Sequence, residues 1–277
     1  MNAKRRFSCA FEAATIVCCL TGVLSNLLRT SSIESMLSFY TTQSNLFVLA
    51  FYLGSVIIKH FKTDWETTNL YYFLKGATVM VIMLTFIVYV ISLQPLSFAM
   101  DVKTSSGNIF RFSNLFVHFI TPIMVLLDYL LCDEKGHFKM RYPFLWYWFP
   151  AVYPIYVYTY SSMGGRFFSV GGSKKYAYFF LDVDKIGMFG VIKYIMIISL
   201  CFLFLCYILV FIDKSLAKRQ EKRSSKQKSG SIWVALIFLF LYLLHCLFKQ
   251  FNKVFFCYFS WISRHTSISH SFICKHI

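Results

Sequence analysis

Long apolar runs separated by short polar segments set the pattern of this chain. Runs near 20 residues match the length a helix needs to cross the hydrocarbon of a bilayer. Six such runs predict helices, at about 7–28, 36–58, 70–93, 112–131, 144–160 and 186–212. Pro150 and Pro154 interrupt the fifth, which neighbouring helices can accommodate by satisfying the freed carbonyls. A seventh run, 232–248, follows a basic stretch. The pattern therefore predicts an all-α integral membrane bundle of six transmembrane helices plus a seventh, C-terminal hydrophobic helix. It divides into a six-span membrane domain (1–213), a disordered basic linker (214–231) and a hydrophobic, basic C-terminal extension (232–277) that contains no Asp or Glu.

Composition supports the membrane class. The chain is 57% hydrophobic and only 14% charged, against roughly 25% charged in soluble domains. The formal charge is +16, but the basic residues form no nucleic-acid stripe. They gather at Lys4, Arg5 and Arg6, from Lys135 to Arg141, and from Lys214 to Lys228, at the ends of apolar runs. By the positive-inside rule this places the N-terminus in the cytoplasm, in a multi-pass protein whose main partner is the lipid bilayer. Glu12 interrupts the first apolar run, which we read as an uncleaved span. The nine cysteines show no CxxC or zinc-type spacing and read as small hydrophobes. The loop 161–185, rich in glycine and aromatics, fits either a lid over the outer face or an ordinary connection with interfacial rings.

Polar residues inside the spans are the candidates for chemistry, because each costs free energy unless it finds a partner. The outer part of span two carries Thr41, Thr42, Gln43, Ser44 and Asn45. With alternating span directions, Thr42 and His118 both fall about 9 Å below the outer boundary. Their meeting has two readings: interhelical hydrogen bonding, or a hydroxyl nucleophile with a histidine base. A second group lies toward the inner side: Glu12, Lys75 and Asp128, with Lys75 expected to pair with Asp128. No GxSxG elbow, HExxH helix, Walker loop or dinucleotide fingerprint is present.

Several of these segments resemble a known group. Tyr40-Thr41-Thr42-Gln43-Ser44-Asn45 is similar to the Tyr-Phe-Thr-x-Gln-Ser-Asn motif of the bacterial Pr-six-Pr-type membrane proteins. In order follow Lys75-Gly76-Ala77, Thr85-Phe86-Ile87-Val88-Tyr89, His118-Phe119-Ile120-Thr121-Pro122, Asp128-Tyr129, Tyr153-Pro154-Ile155-Tyr156 and Phe179-Phe180-Leu181-Asp182-Val183. The resemblance spans about residues 7–212 and implies a bacterial cell membrane. That group is distantly similar to the androgen-induced and androgen-dependent membrane hydrolases, which cleave fatty-acid esters of hydroxy fatty acids with a threonine and a histidine. Carried over, the resemblance implies Thr42 as nucleophile and His118 as base.

The leading expectation is thus a lipid-facing hydrolase of fatty-acyl esters, with Gln43, Ser44 and Asn45 supporting the oxyanion. Such a mechanism calls for neither metal nor other cofactor. The alternative is a non-enzymatic membrane protein, a small transporter or scaffold, in which Glu12, Lys75 and Asp128 form the intramembrane polar cluster.

Overall fold

A computed structural model describes residues 3–28, 30–61, 64–93, 112–169 and 172–224. The seventh apolar run and the C-terminal extension lie outside the described residues. The described residues are mostly helical. Helix α1 is Ala3–Leu27, α2 Ile33–Ser38, α3 Tyr40–Phe61 and α4 Asn69–Val88. A π turn, Tyr89–Leu93, extends α4. Helix α5 is composite: Phe112–Leu115, a π turn at Phe116–Ile120, then Thr121–Cys132. Helix α6 is Tyr142–Ser162 and α7 is Val183–Ser224, kinked at Gly187, whose φ of 68° suits glycine. Between them lie a two-stranded hairpin, β1 Phe167–Ser169 and β2 Gly172–Lys174, and a 3₁₀ turn at Phe179–Leu181.

Four of these segments are long and apolar enough to cross a bilayer: Arg6–Leu27, Tyr40–Lys59, Asn69–Ile91 and Val183–Gln220. The apolar part of α5, Phe116–Cys132, is shorter. Helix α6 has the length, but its tyrosines and prolines leave it outside that set. The exposed faces are apolar, as in a membrane bundle: α7 alone exposes Phe189, Ile192, Met196, Leu200, Phe204 and Phe211.

Helix α4 is the centre. Apolar residues occupy its whole circumference, which suits a helix enclosed by others, and every residue from Lys75 to Thr85 is buried. Thr68 caps it by accepting from the Tyr71 N–H. Gly76 lets α6 approach: a Cβ there would lie 2.2 Å from the Trp146 ring, whose indole N–H donates to the Phe73 carbonyl at 3.0 Å. Gly22 does the same for α1 and α5, since its Cβ would meet Val117 at 2.7 Å and Phe116 at 2.9 Å.

Two boundaries and one expected interruption differ from the sequence reading. The second span opens at Tyr40 rather than Met36, because Phe39 is extended (φ −76°, ψ 138°) and separates the Ser32-capped α2 from α3. Helix α6 runs through Pro150 and Pro154. Helix α7 continues to Ser224, eleven residues into the stretch read as a disordered linker; Lys, Leu, Ala, Arg, Gln and Glu there are all good helix formers.

Candidate functional site

Thr41 and Thr42 stand in the first turn of α3, whose leading N–H groups have no intrahelical acceptor. Tyr153 of α6 supplies one: its phenol oxygen accepts the Tyr40 N–H at 3.0 Å and donates to the Ser38 carbonyl at 3.2 Å. Tyr153, with the Tyr156 phenol 2.8 Å from the Ser38 hydroxyl, ties the break at Phe39 to α6. The Ser44 hydroxyl donates to the Thr41 carbonyl at 2.9 Å and lies 2.7 Å from the Thr85 hydroxyl of α4.

On α5, Pro122 shapes the other half. Proline has no N–H and its ring crowds the preceding turn. The helix widens just before it, with the Thr121 N–H reaching back to the Phe116 carbonyl. In that register the Val117 carbonyl would need the N–H that Pro122 lacks. Asn45 replaces it, its amide donating to the Val117 carbonyl at 3.1 Å and to the Thr41 carbonyl at 2.8 Å. Asn45 thereby fixes the π turn of α5 against the first turn of α3. Single π turns recur at functional sites.

This turn carries His118. Its Nε2 lies 3.2 Å from the Thr41 hydroxyl, and its Nδ1 lies 3.2 Å from the Asn114 carbonyl. A carbonyl only accepts, so Nδ1 carries the proton and Nε2 accepts from Thr41; the tautomer follows from this network. The ring stacks on Tyr89, with centroids 3.8 Å apart. His118 thus meets Thr41, not Thr42. Consecutive helical residues point about 100° apart, and Thr42 is buried on a neighbouring face with no hydrogen bond to His118 among the described residues. Counted back from Gln43-Ser44-Asn45, the threonine of a Thr-x-Gln-Ser-Asn motif falls on Thr41, a signal the sequence offered. Ser44 and Asn45 spend their donors on the backbone, and Gln43 is half-buried with its N–H bonded to the Phe39 carbonyl.

Thr41 also lines a pocket of about 70 Å³ between α3, α4, α6 and α7. Its walls are largely apolar, among them Leu84, Val88, Pro150, Ala151, Ile198 and Phe202. The loop before α7 closes it with Tyr178, Phe180 and Leu181. The same loop packs back on the start of α3: Phe39 meets Phe167 and Tyr178 edge-on, and the Phe168 N–H donates to Ser35 at 2.7 Å. Desolvation holds the Tyr178 phenol above its usual pKa. Tyr178 is therefore protonated, and it lines the same pocket as Thr41. Sequence reading passed over it because it sits in a loop of many aromatics.

The charged group lies toward the other end of α3, about 16 Å along the axis from Thr41 at the level of Tyr52. Lys75 pairs with Asp128 and, at 3.1 Å, with Asp133. Tyr52 donates to Asp128 at 2.7 Å and Tyr71 to Asp133 at 2.6 Å. Glu12 does not join this pair directly; its partner is Lys59 at 2.6 Å, which also holds Glu66. Asp213 of α7 accepts from Tyr129, Gly136 N–H and Phe138 N–H at 2.7–2.9 Å, and so anchors the α5–α6 loop. The pocket reaches neither Lys75 nor Asp128. Among the described residues, no three His, Cys, Asp or Glu side chains cluster as metal ligands.

Comparison of the chain with protein-family models, with curated proteins and with solved structures returned no match.

Proposed function

We propose that this protein is a membrane acyl-ester hydrolase in which Thr41 is the nucleophile and His118 the base. The observation that carries the proposal is the 3.2 Å hydrogen bond between His118 and Thr41, a residue that lines a largely apolar pocket. The distance lies at the edge of the reach expected for a nucleophile and its base, and such bonds tighten on substrate binding. In this reading α5 and α6 also span, giving six spans with a cytoplasmic N-terminus, and the substrate enters the pocket from the outer leaflet of a bacterial cell membrane.

The steps follow from the tautomer. The Thr41 hydroxyl gives its proton to His118 Nε2 as its oxygen attacks the ester carbonyl. The carbonyl electrons move onto oxygen, where the Tyr178 phenol donates to the oxyanion. Collapse breaks the bond to the alkoxide, which takes the proton from Nε2 and leaves an acyl-Thr41. Water then attacks this acyl group, losing its proton to Nε2. Expulsion of Thr41, reprotonated from Nε2, releases the carboxylic acid.

The test is hydrolysis of methylumbelliferyl octanoate by the purified protein in detergent. Thr41→Val and His118→Ala are each expected to lower kcat at least about a hundredfold. Thr42→Val is expected to retain activity. No turnover by the wild type overturns the proposal, and loss confined to Thr42→Val overturns the nucleophile.

The second reading treats the same bond as an interhelical staple. It is favoured by the number of backbone bonds that fix Thr41, Ser44 and Asn45. It predicts that Thr41→Val changes stability alone.

A further inference from the structure

Away from Thr41 and Thr85, and from the tyrosines around them, the pocket holds one other polar feature. The Tyr147 phenol of α6 and the Ser199 hydroxyl of α7 lie 2.7 Å apart, and both residues line the pocket. Tyr147 stands six residues before Tyr153, which is about 9 Å along α6 from the level of Thr41. Two hydroxyls carry two hydrogens, and their mutual bond uses one. Neither hydroxyl has another hydrogen bond among the described residues. One hydrogen and several lone pairs therefore remain for a ligand in an otherwise apolar stretch. The ring of Tyr147 also packs against Phe202, with centroids 6.3 Å apart.

We propose that Tyr147 and Ser199 form a subsite for a hydroxyl group on the acyl chain, about 9 Å from the ester carbonyl. The proposal rests on the reading of the pocket as an acyl site, with Thr41 at the carbonyl end. An acyl hydroxyl accepts the spare hydrogen and donates to a free lone pair, so its desolvation is repaid. A plain chain leaves that hydrogen unpaired. The subsite thus selects hydroxylated acyl groups over unsubstituted ones of the same length.

The experiment compares p-nitrophenyl octanoate with its ω-hydroxy derivative on the wild type, Tyr147→Phe and Ser199→Ala. The readout is the ratio of the two kcat/KM values within each protein, which is insensitive to the amount of folded enzyme. The wild type is expected to favour the hydroxylated ester about tenfold, the size of one net hydrogen bond. Either substitution is expected to bring the ratio near one. A wild-type ratio at or below one overturns the subsite while leaving the hydrolase reading intact, as does a preference that persists in both variants. If the wild type turns over neither ester, the hydrolase reading fails and the subsite is judged by binding. Displacement of a fluorescent fatty acid by ω-hydroxyoctanoate must then exceed displacement by octanoate, and lose that advantage in Tyr147→Phe. Equal displacement overturns the subsite.

Discussion

Replacing Lys75 by methionine tests what the buried charges do. The Lys75 ammonium sits between Asp128 and Asp133, with side-chain exposures of 1%, 1% and 6%. The Tyr52 ring lies 4.9 Å from the ammonium, and the Tyr52 and Tyr71 phenols hold the two carboxylates. Methionine fills a similar volume, so packing changes little. The carboxylates, however, lose their shared cation and stay out of water. Lys135 does not replace it directly, because its ammonium bonds the Tyr129 and Asp133 main-chain carbonyls. Removing one member of such a pair costs about 3–5 kcal/mol. Asp128→Asn alone leaves Lys75 with Asp133 and is expected to cost about 1–3 kcal/mol. The double variant leaves one carboxylate fewer, so its loss should fall short of the sum by at least about 1 kcal/mol. Reversible unfolding in mixed dodecylmaltoside and dodecylsulfate micelles measures all three. A loss under about 1 kcal/mol for Lys75→Met, or strict additivity, refutes the argument that this group staples the bundle.

Other outcomes follow from the same geometry. Gly76→Ala drives a methyl into the buried Trp146 ring, and a loss of about 1–3 kcal/mol in the same assay is expected; an unchanged midpoint contradicts the α4–α6 contact. Asn45→Leu frees the Val117 carbonyl and loosens the π turn under His118, so kcat for methylumbelliferyl octanoate should fall at least about tenfold. Unchanged kcat shows that the turn is held by other means. Tyr178→Phe removes the oxyanion donor and should lower kcat about a hundredfold with little change in KM. A change in KM alone makes Tyr178 a wall of the pocket and nothing more.

Much of the fold was legible because bilayer length and apolar runs coincide. The polar positions stood out for the same reason: Thr41 to Asn45, Lys75, His118 and Asp128 break runs that are otherwise apolar. What stayed hidden was rotation. Depth estimates give position along an axis at about 1.5 Å per residue, too coarse to separate Thr41 from Thr42, which differ by about 100° around it. The π turn at Phe116–Ile120 adds to this, since a wider turn re-aims His118 by an amount no 3.6-residue pattern contains. The break at Phe39 was invisible because Met36, Leu37 and Phe39 look like span. Glu12 was grouped with Lys75 by depth alone, and its pairing with Lys59 turns on which face of α1 it occupies. The Tyr147–Ser199 pair joins two helices with intervening loop and hairpin, and neither residue is unusual in its own segment.

The central claim is that Thr41, through His118, acts as an acyl-accepting nucleophile. Labelling with a fluorophosphonate followed by mass-spectrometric localisation of the adduct addresses it directly. The account predicts an adduct on Thr41 that is lost in both Thr41→Val and His118→Ala and kept in Thr42→Val. An adduct on another residue, or labelling that survives Thr41→Val, contradicts it.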